Sequence, residues 1–399
     1  MNADLHRHAR AIFDHALSSV DPREAVKHVP LDLPAGPIYS IAIGKAATSM
    51  ALGLEDAIGD KLTAPVLIAS GGHPLPDENS LASAGAAFAL LDRANGEEAV
   101  VIFLVSGGGS AMIESPVSDD ISLADLRAAN KTLISCGASI AEVNAVRRAF
   151  SAVKGGGLAR RAPRARTVTL IVSDTNPGDE ANVASGPTLN PPPDAPKAID
   201  IVDHYHLESL LPESIIRAVR RQRFSSATVN SPHLVLLDNN TALHAARDKA
   251  IELGFSCTIL SDICEQPIAE GCELLLSNLL NSSAQCAVSG GEFACPVRGD
   301  GRGGRNLETA LRCAMGLANQ TSPLLILSAG TDGIDGNSPA AGAIADETTI
   351  KRAQALTLDA AEYLARSDSY TLFARLNDLI VTGPTGTNVR DLRILLRAP

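Results

Sequence analysis

Val100-Val101-Ile102-Phe103-Leu104-Val105 runs directly into Ser106-Gly107-Gly108-Gly109-Ser110. Six consecutive apolar residues suit a central parallel strand, which is covered on both faces. The glycines that follow let the backbone approach an anion closely. A strand that ends in glycine and opens a helix also presents bare N–H groups at the positive end of the helix dipole, where phosphates and carboxylates bind. The pattern recurs at Ile41–Ile43 into Gly44-Lys45, at Leu67–Ala69 into Ser70-Gly71-Gly72-His73, and at Val168–Val172 into Ser173-Asp174. Further on it returns at Ala287-Val288 into Ser289-Gly290-Gly291-Glu292, at Leu324–Leu327 into Ser328-Ala329-Gly330-Thr331-Asp332-Gly333, and at Leu379–Val381 into Thr382-Gly383. Repeated loops of this kind, several with a lysine or arginine inside, point to an enzyme that handles multiply anionic substrates.

Strand and helix patterns alternate along the chain, which predicts a parallel α/β architecture. Leu5–Val20 reads as a leading helix and Lys45–Leu54 as another, with Ala47, Met50, Ala51 and Leu54 on one face. Ser122 with Asp125, and Ser139 with Glu142, form capping-box patterns that open helices over Leu123–Ser135 and Ile140–Val153. At 399 residues the chain exceeds one comfortable core, so two domains are expected. The polar, aperiodic stretch Gln222–Pro232 places the boundary between residues 228 and 229, with domains 1–228 and 229–399. The leading helix is free to pack on the other domain. His233–Leu237 is expected to start the second set of strands.

Apolar residues make up 45% and charged residues 20%, an ordinary globular balance. A net charge of −11 argues against a nucleic-acid or anionic-membrane footprint and makes any basic cluster informative. The seven cysteines include no C-x-x-C pair and read as reduced core residues. The first residues have no apolar core like that of a secretory signal, and no apolar run reaches membrane-spanning length, so a cytoplasmic location is expected.

Lys45 stands where the helix dipole disfavours a cation, so an anionic ligand is its natural partner. The segment is not a P-loop, because Tyr39 and Ala46 occupy positions that need Gly and Ser or Thr. Asn144, Arg147, Ser151 and Lys154 form a polar stripe along the 140–153 helix, with no acidic residue, and are read as contacts for an acid substrate. His73, in Gly72-His73-Pro74, is expected as a base or substrate contact, the alternative being a histidine that fixes its own loop. Gly299-Asp300-Gly301-Arg302-Gly303-Gly304 fits G-x-G-x-x-G, between an expected strand Phe293–Val297 and a helix Asn306–Met315. Arg298, Arg302 and Arg305 bring more positive charge than a dinucleotide pyrophosphate needs, and Arg305 is the favoured cation for a transferring phosphate. Phosphate contacts are expected at Ser106, Gly107, Gly108, Gly109, Ser110, Gly301, Arg302, Gly303, Thr331 and Asp332. Among the acidic turn residues Asp174, Asp179, Glu292, Asp332 and Asp335, Asp174 and Glu292 are the metal candidates. Magnesium bound with ATP needs only one or two carboxylates.

These segments resemble the class II glycerate 2-kinases, whose C-terminal part is called the MOFRL domain. The likeness covers nearly the whole chain. It rests on Ile43-Gly44-Lys45-Ala46-Ala47, Gly72-His73-Pro74-Leu75-Pro76-Asp77, Ser106–Ser110, Val143–Arg148 with Ser151–Gly156, Ala184–Thr188, Gly303–Asn306, Gly330–Gly336, Ala340–Ala343 and Gly383–Val389. The resemblance implies a Rossmann-like, doubly wound parallel sheet joined to a smaller α/β domain, with the active site in the interdomain cleft. It implies ATP- and Mg2+-dependent transfer of the γ-phosphate to the 2-hydroxyl of D-glycerate, with Lys45 and Arg305 as the functional cations. Small molecules, D-glycerate and ATP, are the expected partners, with no nucleic acid and no membrane; a homodimer is left open. The chain departs from the family pattern at Phe293, Ala294, Leu307 and Arg390, which keeps a related small hydroxy acid in view. The other readings are an NAD(P)H-dependent hydroxypyruvate reductase, supported by Gly299–Gly304, and a non-catalytic sugar-acid or nucleotide sensor.

Overall fold

The structure, a computed structural model, describes residues 2–222 and 231–398, so the expected boundary at 228/229 lies outside the described residues. The chain forms two compact units, residues 22–237 and residues 1–21 with 238–399.

The first unit is built on five strands: β1 Ile38–Ile43, β2 Leu67–Ile68, β3 Val100–Ser106, β4 Arg166–Val172 and β5 His233–Leu237. All pair in parallel, in the order β2-β1-β3-β4-β5. β1 and β3 are buried along their whole length, as suits their mainly apolar sequences, and the hydroxyl of Ser40 in β1 donates to Ile102 O at 2.8 Å. Tyr39, Ile41, Ile43, Val101, Phe103 and Val105 share a core with helix Glu78–Gly96, while helix Ala47–Ile58 packs with β1 and β3. A second cluster, away from the sheet, joins helices Leu123–Ser135, Ile140–Phe150, Ala198–His204 and Glu213–Arg221. β5 was expected to begin the second domain. It closes the first sheet instead, one register bulge away from β4, and its largely exposed side chains are those of an edge strand.

The second unit has six strands: β6 Cys257–Ile259, β7 Cys286–Ser289, β8 Leu324–Gly330, β9 Gly342–Asp346, β10 Leu379–Ile380 and β11 Asp391–Arg397. Their order is β10-β9-β8-β11-β7-β6. Among the described residues β6 and β7 pair in parallel and the other strand pairs of this sheet are antiparallel, which corrects the expectation of a parallel set. The reason lies in β8 and β9, which are joined by an irregular loop with no crossover helix, and in β11, which enters between β8 and β7 in the opposite sense. Alternate residues of β8 serve opposite faces. Leu324 and Ile326 meet helices Ile268–Asn281 and Arg305–Leu317, while Leu325 and Leu327 meet helices Asn2–Ser18 and Asn239–Glu252. The leading helix therefore belongs to the core of this unit, where His6 also hydrogen-bonds Asp346 at 2.9 Å.

Both capping boxes form as read, at Ser122/Asp125 and Ser139/Glu142. The second helix stops at Phe150, because Ser151 is extended. Ser151 and Lys154 thus leave the helical stripe to which their spacing assigned them.

Candidate functional site

In a sheet ordered 2-1-3-4-5 the chain runs outward in opposite directions from β1 and β3, and ligands of open α/β sheets bind beyond the strand ends at that switch point. Here the loops after β1 and β3 interlock. Lys45 N donates to Gly107 O at 2.9 Å, and Ala46 N donates to Ser106 Oγ at 3.0 Å. Gly44 takes φ +108°, and a Cβ there would run into the Ser106 carbonyl, so this junction requires glycine. Helix Ala47–Ile58 begins at Ala46, whose methyl cannot cap it; Ala47 N is met by Gly44 O at 3.1 Å, and no N-cap side chain serves the N–H groups that follow. Lys45 is exposed, and its aliphatic stem crosses Gly108. Ser110 Oγ is 2.7 Å from Ser185 Oγ.

His73 is exposed in the loop after β2, and this loop is tied to the β3 loop by Gly71 N donating to Met112 O at 3.1 Å. Asp174 is half-buried at the end of β4. Lys45, His73, Ser106–Ser110 and Asp174 therefore share the C-terminal edge of one parallel sheet.

Asn144, Arg147, Ser151 and Lys154 are all buried, and they belong to a network inside the first unit. Lys154 and Ser151 both donate to Glu114, and the Lys154 side chain is 1% exposed. Burial pulls the Lys154 ammonium below its ordinary pKa, and Glu114 opposes that shift. Arg147 Nε donates to Asn130 at 2.8 Å, and Asn144 Oδ1 accepts from Ser185 Oγ at 2.7 Å. The sequence reading missed Glu114. Its signal was a single acid in the apolar stretch that follows the glycine loop.

In the second unit Arg305 opens helix Arg305–Leu317. Its Nε donates to Asp391 at 2.6 Å and it also pairs with Glu292. Burial works against its charge, yet Asp391 and Glu292 outweigh it and raise the guanidinium pKa. Asp335 caps the same helix, accepting from Asn306 N at 3.1 Å and Leu307 N at 2.8 Å, while burial pushes its carboxyl up to about 7. Asp391, the main holder of Arg305, was not among the expected site residues, although a charge heading the buried strand Leu392–Leu396 was visible.

Several expectations are not met in this unit. Phe293–Val297 is not a strand, so the G-x-G-x-x-G stretch lacks the strand–turn–helix setting of a dinucleotide fingerprint. Its donors are also engaged within the protein. Gly301 N binds Arg366 O, Arg302 N binds Asp368 at 3.0 Å, and Gly303 N binds Asn337 at 2.8 Å. Gly301 is glycine because the 366–368 segment lies against it, and Arg302 stacks on Tyr370. Thr331 is buried, donating to Arg390 O and accepting from Val389 N. Asp332 is half-buried and accepts from Ile334 N at 3.1 Å. Glu292, expected as a metal ligand, pairs here with Arg305, which leaves that expectation open. Among the described residues no three His, Cys, Asp or Glu side chains stand close enough to share a metal ion. No described helix is long and apolar enough to cross a membrane.

Comparison with known proteins adds to this geometry. Residues 8–220 match the family model described as a domain of unknown function, DUF4147, and residues 285–391 match the MOFRL family. A protein named D-glycerate 2-kinase from Thermotoga maritima is 33% identical, covering 98% of each chain. One named putative hydroxypyruvate reductase from Agrobacterium vitis is 35% identical, covering 97% of this chain and 93% of the other. The crystal structure of a glycerate kinase from Thermotoga maritima superposes with a TM-score of 0.84 at 31% identity, covering 99% of this chain and 100% of that one. With both family regions present and full-length relatives of this similarity, the chain belongs to the class II glycerate 2-kinase family, in which a DUF4147 region is joined to a MOFRL region.

Proposed function

We propose that this protein transfers the γ-phosphate of ATP to the 2-hydroxyl of D-glycerate, giving 2-phosphoglycerate and ADP. The observation that carries the reading is the interlocked pair of loops at the β1/β3 switch point, where Lys45 joins uncapped helix donors and Gly107–Gly109. Phosphoryl transfer asks the protein mainly for positioning and charge neutralisation, and these groups supply both. In this reading the 106–110 loop holds phosphate oxygens and Lys45 neutralises charge that develops on the transferred group. Arg305, held in a fixed plane by Asp391, offers its remaining N–H groups to a phosphoryl or carboxylate oxygen.

His73 is assigned to the acid substrate. Asn144, Arg147 and Lys154 are assigned to the packing that holds the glycine-rich loop, because all three are buried. Magnesium fits the donor set as an ion bound chiefly by ATP oxygens, with Asp174 as its protein carboxylate. When bound, it would neutralise the phosphate oxygens. Asp332, half-buried after β8, is the second acid assigned to the nucleotide site, where it would meet the phosphates through their magnesium ion.

The test is incubation of the purified protein with ATP, magnesium and D-glycerate, followed by 31P NMR of the product. A signal for 2-phosphoglycerate is expected. Formation of 3-phosphoglycerate would reassign the hydroxyl, and no phosphorylated product would overturn the reading. Hydroxypyruvate with NADPH in the same preparation should show no loss of absorbance at the nicotinamide band.

A further inference from the structure

The first unit contains a cavity of about 630 Å³ that none of Lys45, His73 or Ser106–Ser110 lines. Its wall carries Arg148, Lys154, Arg160, Arg217 and Arg221, with Asp120 the one acidic residue among those that line it. This is a concentrated positive charge in a chain of net charge −11. Two of the cations are neutralised locally: Lys154 by Glu114, and Arg217 by Asp120 at 2.7 Å and Glu213 at 2.9 Å. Arg148 and Arg160 are not. Among the described residues neither has a carboxylate partner. Arg148 donates to Ala181 O and to Asn182 Oδ1, each at 2.8 Å, and Arg160 donates to Gly155 O at 2.7 Å. Arg148 Nε is buried without an acceptor. Burial lowers the pKa of both, Arg148 to about 10, and no neighbouring acid offsets it.

A half-buried guanidinium without a counter-charge costs free energy that a bound anion would recover. Two guanidinium groups suit a ligand with two negative charges and several acceptor oxygens better than a single carboxylate. The volume exceeds that of a bare phosphate, and alanine, proline and valine side chains supply an apolar wall for a short carbon body. We propose that this cavity binds a small phosphomonoester between Arg148 and Arg160, at a site separate from the phosphoryl-transfer site.

The cavity is also wired to the glycine-rich loop. Arg148 holds Asn182, Asn182 accepts from Asn144 at 3.4 Å, Asn144 accepts from Ser185, and Ser185 meets Ser110, the last two at 2.7 Å. A ligand that pulls on Arg148 biases this chain, so its binding should change turnover. That part rests on the proposed role of the 106–110 loop.

The experiment is isothermal titration of the full chain with inorganic phosphate and with glycerol 3-phosphate, in the presence of saturating D-glycerate and a non-hydrolysable ATP analogue. One site is expected, with glycerol 3-phosphate the tighter ligand. Arg148→Met and Arg160→Met should each weaken it at least tenfold, while Lys45→Ala leaves it intact. Circular dichroism verifies folding. If Arg148→Met does not fold, Arg160→Met at the half-exposed position decides alone. The inference is overturned by no binding, by undiminished binding in the folded Arg160→Met variant, or by binding that occurs only when D-glycerate is left out of the titration, which would make the cavity the substrate pocket. Glycerate phosphorylation without cavity binding removes this inference only. Cavity binding without glycerate phosphorylation removes the proposed function only.

Discussion

Lys154 in the first unit and Arg305 in the second are both cations next to glycine-rich turns, and both pair with carboxylates. Their environments differ sharply. The Lys154 side chain is 1% exposed and Glu114, equally buried, meets it; the Arg305 side chain is 34% exposed and keeps one edge toward solvent while Asp391 and Glu292 fix the other. The first arrangement is a closed ion pair whose charge is spent inside the fold. The second is an oriented guanidinium with donor capacity left over. Spacing in the sequence could not separate them, because Glu114 stands 40 positions from Lys154 and Asp391 stands 86 from Arg305.

The largest expected effect tests the closed pair. Lys154→Met leaves Glu114 buried and unmatched, which should cost about 3–5 kcal/mol of stability, measurable by urea unfolding. Adding Glu114→Gln should restore much of it. A Lys154→Met protein of unchanged stability but raised KM for glycerate would move Lys154 from the packing to the substrate. Next comes the exposed lysine of the first unit. Lys45→Ala should lower kcat by roughly a hundredfold or more. Its Tm should stay close to that of the parent, since an exposed side chain contributes little to stability. A folded variant with normal kcat would remove Lys45 from the reaction.

Arg305→Lys keeps the charge and loses the planar fork. Turnover of D-glycerate should fall about tenfold or more, with Glu292 and Asp391 no longer matched at two points. Unchanged turnover would show that position 305 needs only a positive charge. The smallest effect concerns Asp346. Burial raises its pKa, but His6, Thr348 and Arg352 outweigh that and hold the carboxyl well below its ordinary value. Its stabilisation is therefore present above about pH 4 and is lost as pH falls further. Asp346→Asn should flatten the dependence of Tm on pH below about pH 4, and an unaltered acid limb would refute the linkage.

What the sequence made legible was whatever rests on local pattern. The buried strand β3 stood out as an unbroken apolar run, β1 and β4 as shorter ones ending in glycine or serine turns, and two helices were announced by their capping boxes. Lys45 was singled out because strand, glycine and helix follow one another directly there, whereas after the glycine loop at residues 106–110 no helix begins until Leu123. Pairing between distant segments was not legible. Nothing near residue 391 states that β11 enters between β7 and β8, and that entry makes the second sheet largely antiparallel. The G-x-G-x-x-G match failed because its glycines accommodate residues 366–368, which only the fold brings there. Three of the four departures from the family pattern also acquire structural partners. Phe293 is buried with its ring 3.5 Å from the Arg393 guanidinium, Leu307 is core, and Arg390 pairs with Glu265.

The first helix and β11 lie in the same core, although nearly the whole chain separates them. This has a consequence in time. As the chain leaves the ribosome at about 5–20 residues per second, residues 22–237 can complete their sheet while the rest is still being made. The second sheet cannot form with the first helix until β11, which lies far downstream of it, has been made. The amphipathic helix at residues 2–18 must therefore wait, its apolar face uncovered, for tens of seconds before its partner surface exists. Transiently exposed apolar surface is what makes folding intermediates prone to aggregate, so the interval between the birth of that helix and its burial is a hazard set by chain order alone.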